Sequence, residues 1–88
     1  MKDKNIQELI KLFQAGKTKI VEKKIVKLIE KYPKSFILYN LYGAVLADQK
    51  KLRQAVINFK KSIQINPDYA EGYNNLASTL YKLENFKE

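Results

Sequence analysis

Apolar residues recur along this chain in steps of three and four, which places them on one face of an α-helix. The first stripe runs through Ile6, Leu9, Ile10 and Phe13, and four further stripes follow it. Strict alternation of apolar and polar residues, the pattern of a half-buried strand, does not extend to a useful length. The sequence therefore predicts an all-α protein. Its five predicted helices lie near residues 5–14, 18–31, 36–48, 52–65 and 69–83.

Proline and capping residues mark where these helices begin and end. Ser35 precedes the third predicted helix and Asp68 precedes the fifth, and both side chains can accept hydrogen bonds from amides of the first helical turn. Pro33 and Pro67 stand just ahead of these caps. The predicted connections are short, so consecutive helices are expected to pack as antiparallel neighbours. The expected architecture is a stack of helical hairpins.

The chain repeats itself with a period of 34 residues, the separation of Pro33 and Pro67. On this period it divides into segments 2–35, 36–69 and 70–88, of which the third holds only the first helix of a hairpin. Residues of similar type then align: Tyr39 with Tyr73, Asn40 with Asn74, Gly43 with Ala77 and Leu46 with Leu80. A period of this length is typical of helical repeat proteins.

The second segment resembles the tetratricopeptide repeat family. It carries the family's alternation of aromatic, small and proline positions at Tyr39, Gly43, Leu46, Ala55, Phe59, Ser62 and Pro67. The resemblance implies a short α-solenoid of antiparallel helix-turn-helix repeats. The first segment departs from the pattern, because Leu9, Val21 and Leu28 stand where the family has smaller residues. This added bulk is expected to open the first hairpin slightly or to shift its helices.

The resemblance also implies a function, which is to bind a protein or peptide in a concave groove lined by the first helix of each repeat. The groove positions that it implies here are Ile6, Ile10, Phe13, Asn40, Ala44, Ala47, Asn74, Ser78 and Tyr81. Asn40 and Asn74 occupy equivalent positions, and two interpretations stay open: a short ladder that hydrogen-bonds a peptide backbone, or solvated asparagines on an exposed face. Some members of the family hold a peptide's terminal carboxylate with a lysine, asparagine and arginine clamp. Ile6 and Ile10 replace its first members here, which disfavours that mode.

The third segment predicts self-association. Its helix carries Leu76, Leu80 and Leu83, which expect a partner helix that the sequence, ending at Glu88, does not contain. The sequence is accordingly expected to be part of a longer protein. An uncovered apolar stripe tends to find a partner, so two chains are expected to cover each other as a homodimer. The alternative is a monomer whose last helix frays.

Composition argues against an enzyme. The sequence has no cysteine and no histidine, which removes the thiolate and the commonest general base and metal ligand. The carboxylates form no recognisable catalytic constellation, so we expect no catalytic residue, no metal and no cofactor. No unbroken apolar run suits a signal peptide or a membrane span, and the expected location is cytoplasmic. One alternative is that the chain is the non-catalytic N-terminal repeat region of a larger enzyme, such as a glycosyltransferase.

The net charge of +8 raises a further alternative, a lysine-rich nucleic-acid-binding module. Lys23, Lys27 and Lys31 repeat every four residues along one face of the second predicted helix. An anionic membrane surface would also suit such a face. The chain has a single arginine, Arg53, and no aromatic residue stands between these lysines in the sequence. We therefore expect a solvated surface, with nucleic acid an unlikely partner.

Overall fold

The computed structural model describes residues 3–85, and all of the regular structure in that range is helical. The all-α prediction and its five helices are confirmed, with bounds that differ from the predicted ones by two residues at most. The helices are α1 (Asp3–Gln14), α2 (Thr18–Lys31), α3 (Phe36–Asp48), α4 (Leu52–Ile65) and α5 (Ala70–Asn85).

Each helix packs on the one before it, and α3 also contacts α5. The described residues thus form a stack of antiparallel hairpins in which α1, α3 and α5 share one side and α2 and α4 the other. The predicted cap at Ser35 is present, since its side chain accepts a hydrogen bond of 3.3 Å from the backbone amide of Leu38. The stack therefore presents an inner surface made by α1, α3 and α5.

Two apolar clusters hold the stack together. The first joins α1, α2 and α3 through Leu9, Val21, Ile25, Leu38 and Val45, all of them buried. Leu9 and Val21 are two of the bulky residues of the first segment, and both are accommodated in this core. The packing of α1 on α2 is less extensive than that of α3 on α4.

The second cluster lies between α3 and α4 and depends on one glycine. Leu46, Ala55 and Phe59 form it, and Leu76 of α5 packs against it. The Phe59 ring lies over Gly43 so closely that a Cβ placed on Gly43 would come within 2.6–2.9 Å of three ring carbons. Glycine at this position is therefore what lets α4 approach α3, and the approach places Phe59 under the inner surface.

Candidate functional site

An open pocket of about 270 Å³ lies on the inner surface between α3 and α5. Phe59 reaches it from α4 and Phe13 borders it from α1, but polar groups make up more of its exposed surface than apolar ones. Ala44 and Ala47 leave the space unfilled, since their side chains end at Cβ. The full lining is Phe13, Ala44, Ala47, Asp48, Lys50, Phe59, Asn75, Ser78, Thr79 and Lys82.

Charged side chains stand at the rim of this pocket. Asp48, the last residue of α3, accepts a hydrogen bond of 3.2 Å from the Thr18 hydroxyl at the start of α2. Lys50, in the connection between α3 and α4, and Lys82 of α5 bring two ammonium groups. The three inner helices carry three basic and five acidic side chains, but at the pocket the basic groups outnumber the acidic one.

Lys50 adopts a left-handed backbone conformation with φ of 66°. Its amide donates to the carbonyl of Ala47 at 3.0 Å, and the amide of Lys51 donates to that of Leu46 at 2.9 Å. These two bonds form a Schellman ending, which usually has glycine at this position. The same ending closes α1, where Gly16 has φ of 78° and stands 34 residues before Lys50. The second repeat thus keeps a side chain at the pocket rim where the first has none.

Left-handed backbone costs a residue with a side chain about 1 kcal/mol relative to glycine. Strain of this kind is found preferentially at functional sites. Lys50 is therefore a candidate ligand-binding residue that the sequence analysis missed. Aligning Gly16 with Lys50 on the 34-residue period would have identified it.

Asn40 is buried inside the protein rather than open to a groove. Only 2% of it is exposed, and its side-chain oxygen accepts a hydrogen bond of 3.0 Å from Asn75. Its amide group donates to the Tyr69 hydroxyl at 3.3 Å and to the Glu71 carboxylate at 3.2 Å. Burial raises the pKa of Tyr69, and the charge of Glu71 raises it further. The expectation of an Asn40–Asn74 ladder is corrected: Asn40 pairs with Asn75, and Asn74 is exposed.

The nine residues predicted to line a groove divide into three groups. Four of them, Phe13, Ala44, Ala47 and Ser78, lie around the pocket. Ile6 packs against the first apolar cluster, and Asn40 is buried. Ile10, Asn74 and Tyr81 are exposed but do not line the pocket. The six other residues that line the pocket were not among those predicted from the sequence.

Leu76, Leu80 and Leu83 do not form one exposed stripe. Leu76 packs against the second apolar cluster and Leu83 is half-buried, whereas Leu80 is 44% exposed. The expectation of a three-leucine surface is corrected, because α5 turns two of these residues toward α4. The exposed apolar residues of α5 are instead Ala70, Tyr73, Ala77, Leu80 and Tyr81.

The lysines of α2 lie away from the pocket. All three predicted surface lysines, Lys23, Lys27 and Lys31, are exposed on α2. The outer helices, α2 and α4, together carry eight basic and two acidic side chains. Two of the basic residues lie beside tyrosine rings, one of them an adjacent residue in the sequence and the other on a neighbouring helix. The ammonium groups of Lys31 and Lys61 lie 5.5 and 5.7 Å from the ring centres of Tyr32 and Tyr39. Any binding through this outer face would be separable from binding in the pocket.

Residues 3–85 contain neither a metal-binding cluster nor a membrane-spanning helix. In that range no group of three or more histidine, cysteine, aspartate or glutamate side chains could hold a metal ion. None of the five helices is long and apolar enough to cross a membrane.

The stacked antiparallel hairpins and the 34-residue period define an α-solenoid of helix-turn-helix repeats. Residues 43–84, from the middle of α3 almost to the end of α5, match the family model described as TPR repeat. This part of the chain belongs to the tetratricopeptide repeat family, as the sequence indicated.

A curated relative shares this kind of sequence. The chain is 38% identical over 60 residues to Protein STIP1 homolog of Dictyostelium discoideum. The alignment covers 68% of this chain and 11% of that protein, so the chain spans about a tenth of its relative's length. Tetratricopeptide repeats are in general modules for protein interaction, and the match supports that class for this chain.

Proposed function

We propose that the chain binds a peptide segment of a partner protein on its inner surface, with one apolar side chain of that segment in the pocket between α3 and α5. The observation that carries this proposal is the unfilled space beside Phe13, Ala44, Ala47 and Phe59, with polar side chains around it. Concave sites that combine apolar side chains with convergent polar groups are the usual form of a ligand site. The volume of about 270 Å³ suits a single aliphatic or aromatic side chain rather than a cofactor.

The polar side of the pocket is supplied mainly by α5. Asn75 is fixed by its bond to Asn40, and the Thr79 hydroxyl donates to the Asn75 carbonyl at 2.8 Å. Ser78 is exposed at the rim and can donate to or accept from a peptide backbone. A bound segment would therefore lie across α5 with its apolar side chain directed toward Phe59.

Lys50 and Lys82 give this site a preference for negative charge. The single Asp48 carboxylate offsets only one of the two ammonium groups, so the rim carries a net positive charge. We propose that the preferred segment carries an aspartate or glutamate beside its apolar residue. The pairing would be exposed to water and worth about 1 kcal/mol, which makes it a determinant of selectivity more than of affinity.

Filling the pocket is expected to abolish this binding. Peptides are first selected from a random phage-displayed library against the 88-residue chain, and their affinities are measured by fluorescence anisotropy. Ala47→Gln places a longer side chain on the pocket floor and should weaken binding at least tenfold. Ala77→Gln is the matched control, because Ala77 is an exposed alanine of α5 outside the pocket lining. Equal affinities of Ala47→Gln and wild type would remove the pocket from the proposal.

Replacing Lys50 is expected to move stability and binding in opposite directions. Lys50→Gly relieves the left-handed strain and should raise the free energy of unfolding by about 1 kcal/mol. The same change removes a positive charge from the pocket rim. It should weaken the binding of acidic peptides several-fold and leave the binding of neutral peptides unchanged. Lys50→Ala removes the charge but keeps the strain, so it should lose affinity without gaining stability. Denaturant unfolding and anisotropy measure the two effects, and unchanged binding by both variants would contradict a role for Lys50.

A further inference from the structure

The outer side of the stack, made by α2 and α4, differs in charge from the inner side. The eight basic side chains of α2 and α4 are all exposed, and together with two acidic ones they give these helices a net charge of +6. The inner helices α1, α3 and α5 carry three basic and five acidic side chains, a net charge of −2. The described residues are therefore electrostatically polarised, and the positive side points away from the peptide pocket.

Exposed aliphatic side chains lie among these positive charges. Ile20 and Val26 of α2 are 48% and 40% exposed, and Ile57 of α4 is 65% exposed. On the 34-residue period Ile57 is equivalent to Lys23, so it lies within the row of basic side chains and not beside it. The outer side is thus cationic and apolar at the same time.

The lysine side chains add apolar surface of their own. With Val26, the side chains of Lys19, Lys23 and Lys27 border an open depression of about 680 Å³ whose wall is mostly apolar. Long lysine side chains lay their methylene groups along apolar surface and keep the ammonium group in water. A surface of this kind fits a partner that is negatively charged on the outside and apolar just beneath.

We propose that the outer side of α2 and α4 docks on the surface of a bilayer that contains anionic phospholipids. The ammonium groups bind the negative headgroups, and Ile20, Val26 and Ile57 enter the boundary between headgroups and acyl chains. The chain lies on the bilayer, since none of the helices within residues 3–85 is long and apolar enough to cross it. The peptide pocket then faces the water and stays open to a partner protein.

The exposure of this side follows from the way successive repeats stack. The outer helix of the first repeat packs on the inner helix of the second, as α2 does on α3, whereas α2 and α4 make at most slight contact with each other. A repeat added with the same geometry would therefore extend the outer side and would not cover it.

Side-chain composition favours a bilayer over a nucleic acid as the partner. Proteins that bind single strands offer aromatic rings on which bases stack. Here the half-buried rings of Tyr32 and Tyr39 already have the ammonium groups of Lys31 and Lys61 over them, at 5.5 and 5.7 Å from the ring centres. A phosphate backbone also gives an exposed isoleucine no apolar region to enter. The acyl region of a bilayer provides one.

A single tryptophan tests the proposal, because the sequence contains none. Ile57→Trp places this fluorophore on the outer side, and Tyr81→Trp is the matched control on α5, where Tyr81 is 69% exposed. With vesicles of equimolar phosphatidylcholine and phosphatidylserine, the emission of Ile57→Trp should shift to shorter wavelength and be quenched by brominated phospholipid. The emission of Tyr81→Trp should not change. Vesicles of phosphatidylcholine alone should change neither variant.

Charge reversal gives a second readout, measured by co-sedimentation of the 88-residue chain with the same anionic vesicles. Lys23→Glu combined with Lys27→Glu should lower the partition coefficient about tenfold or more. Lys4→Glu combined with Lys11→Glu is the matched control, because it changes the net charge equally but places the change on α1. This control should lose clearly less. Circular dichroism checks that both double variants remain folded.

Four results would overturn the proposal. They are no binding to the anionic vesicles, lipid quenching of Tyr81→Trp, equal losses in the two double variants, and binding of a DNA oligonucleotide without any lipid quenching of Ile57→Trp. The last result would assign the outer side to nucleic acid. Neither readout involves a peptide, so this proposal and the proposed peptide binding fail independently.

Discussion

Gly43→Val is expected to lower the free energy of unfolding by about 3 kcal/mol, a large part of the total for a chain of this size. A Cβ alone would come within 2.9 Å of three ring carbons of Phe59, and valine adds two methyl groups beyond it. The ring is 2% exposed and is packed with Leu46 and Ala55, so it has little room to move. Denaturant unfolding followed by circular dichroism measures the loss.

The internal repeat provides a control for this prediction. Ala77→Val makes a similar change at the equivalent position of the third repeat, where the side chain is exposed, and should cost about 0.5 kcal/mol or less.

Replacing the Phe59 ring by a smaller side chain should also relieve its clash with a Cβ at position 43. Gly43→Ala combined with Phe59→Leu should be more stable than the sum of the two single changes predicts. Additive effects would mean that Gly43 is not held against Phe59 as described.

Asn40→Asp is expected to destabilise the chain by about 3 kcal/mol at neutral pH, although the two side chains have almost the same shape. The new carboxylate would lose the donation to Glu71, now at 3.2 Å, and would face that residue's carboxylate instead. It would also be enclosed where Asn40 is only 2% exposed. The hydrogen bond from Asn75 and a donation from the Tyr69 hydroxyl would offset part of this cost.

This cost should depend on pH. Burial and the neighbouring Glu71 charge would raise the pKa of the introduced carboxyl above the ordinary aspartate value of about 3.9. The penalty is then fully present above the raised folded-state pKa and disappears as the pH falls below the ordinary value. Unfolding free energies of variant and wild type should converge between neutral and acidic pH. Asn74→Asp, the exposed neighbour, should differ little from wild type at any pH; a constant deficit in Asn40→Asp would exclude the carboxylate pairing.

The helices could be predicted from sequence because their determinants are local. Apolar periodicity defines each helix, and Ser35 and the two prolines mark the connections. Aligning the repeats also identified residues at equivalent positions, such as Gly43 and Ala77. These properties depend on spacing along the chain, which a sequence displays directly.

The site was less predictable because it depends on contacts between repeats. Alignment pairs Asn40 with Asn74, but the crossing of α3 and α5 brings Asn75 to it instead, one residue further along the helix. On α5, leucines on two faces look alike in sequence, and only packing against α4 separates Leu76 from Leu80. Lys50 has a left-handed backbone conformation, which a sequence usually indicates by a glycine. Because lysine stands at this position, the sequence gives no such sign.

The central claim is that a partner segment binds between α3 and α5, and an NMR titration tests it most directly. The ¹⁵N-labelled chain is titrated with a peptide selected from the random library, and amide shift changes are mapped onto the five helices. The predicted result is a set of large changes around Ala44, Ala47 and Ser78 that Ala47→Gln eliminates. Changes confined to the outer helices, around Lys23 and Lys27 of α2, would contradict the claim.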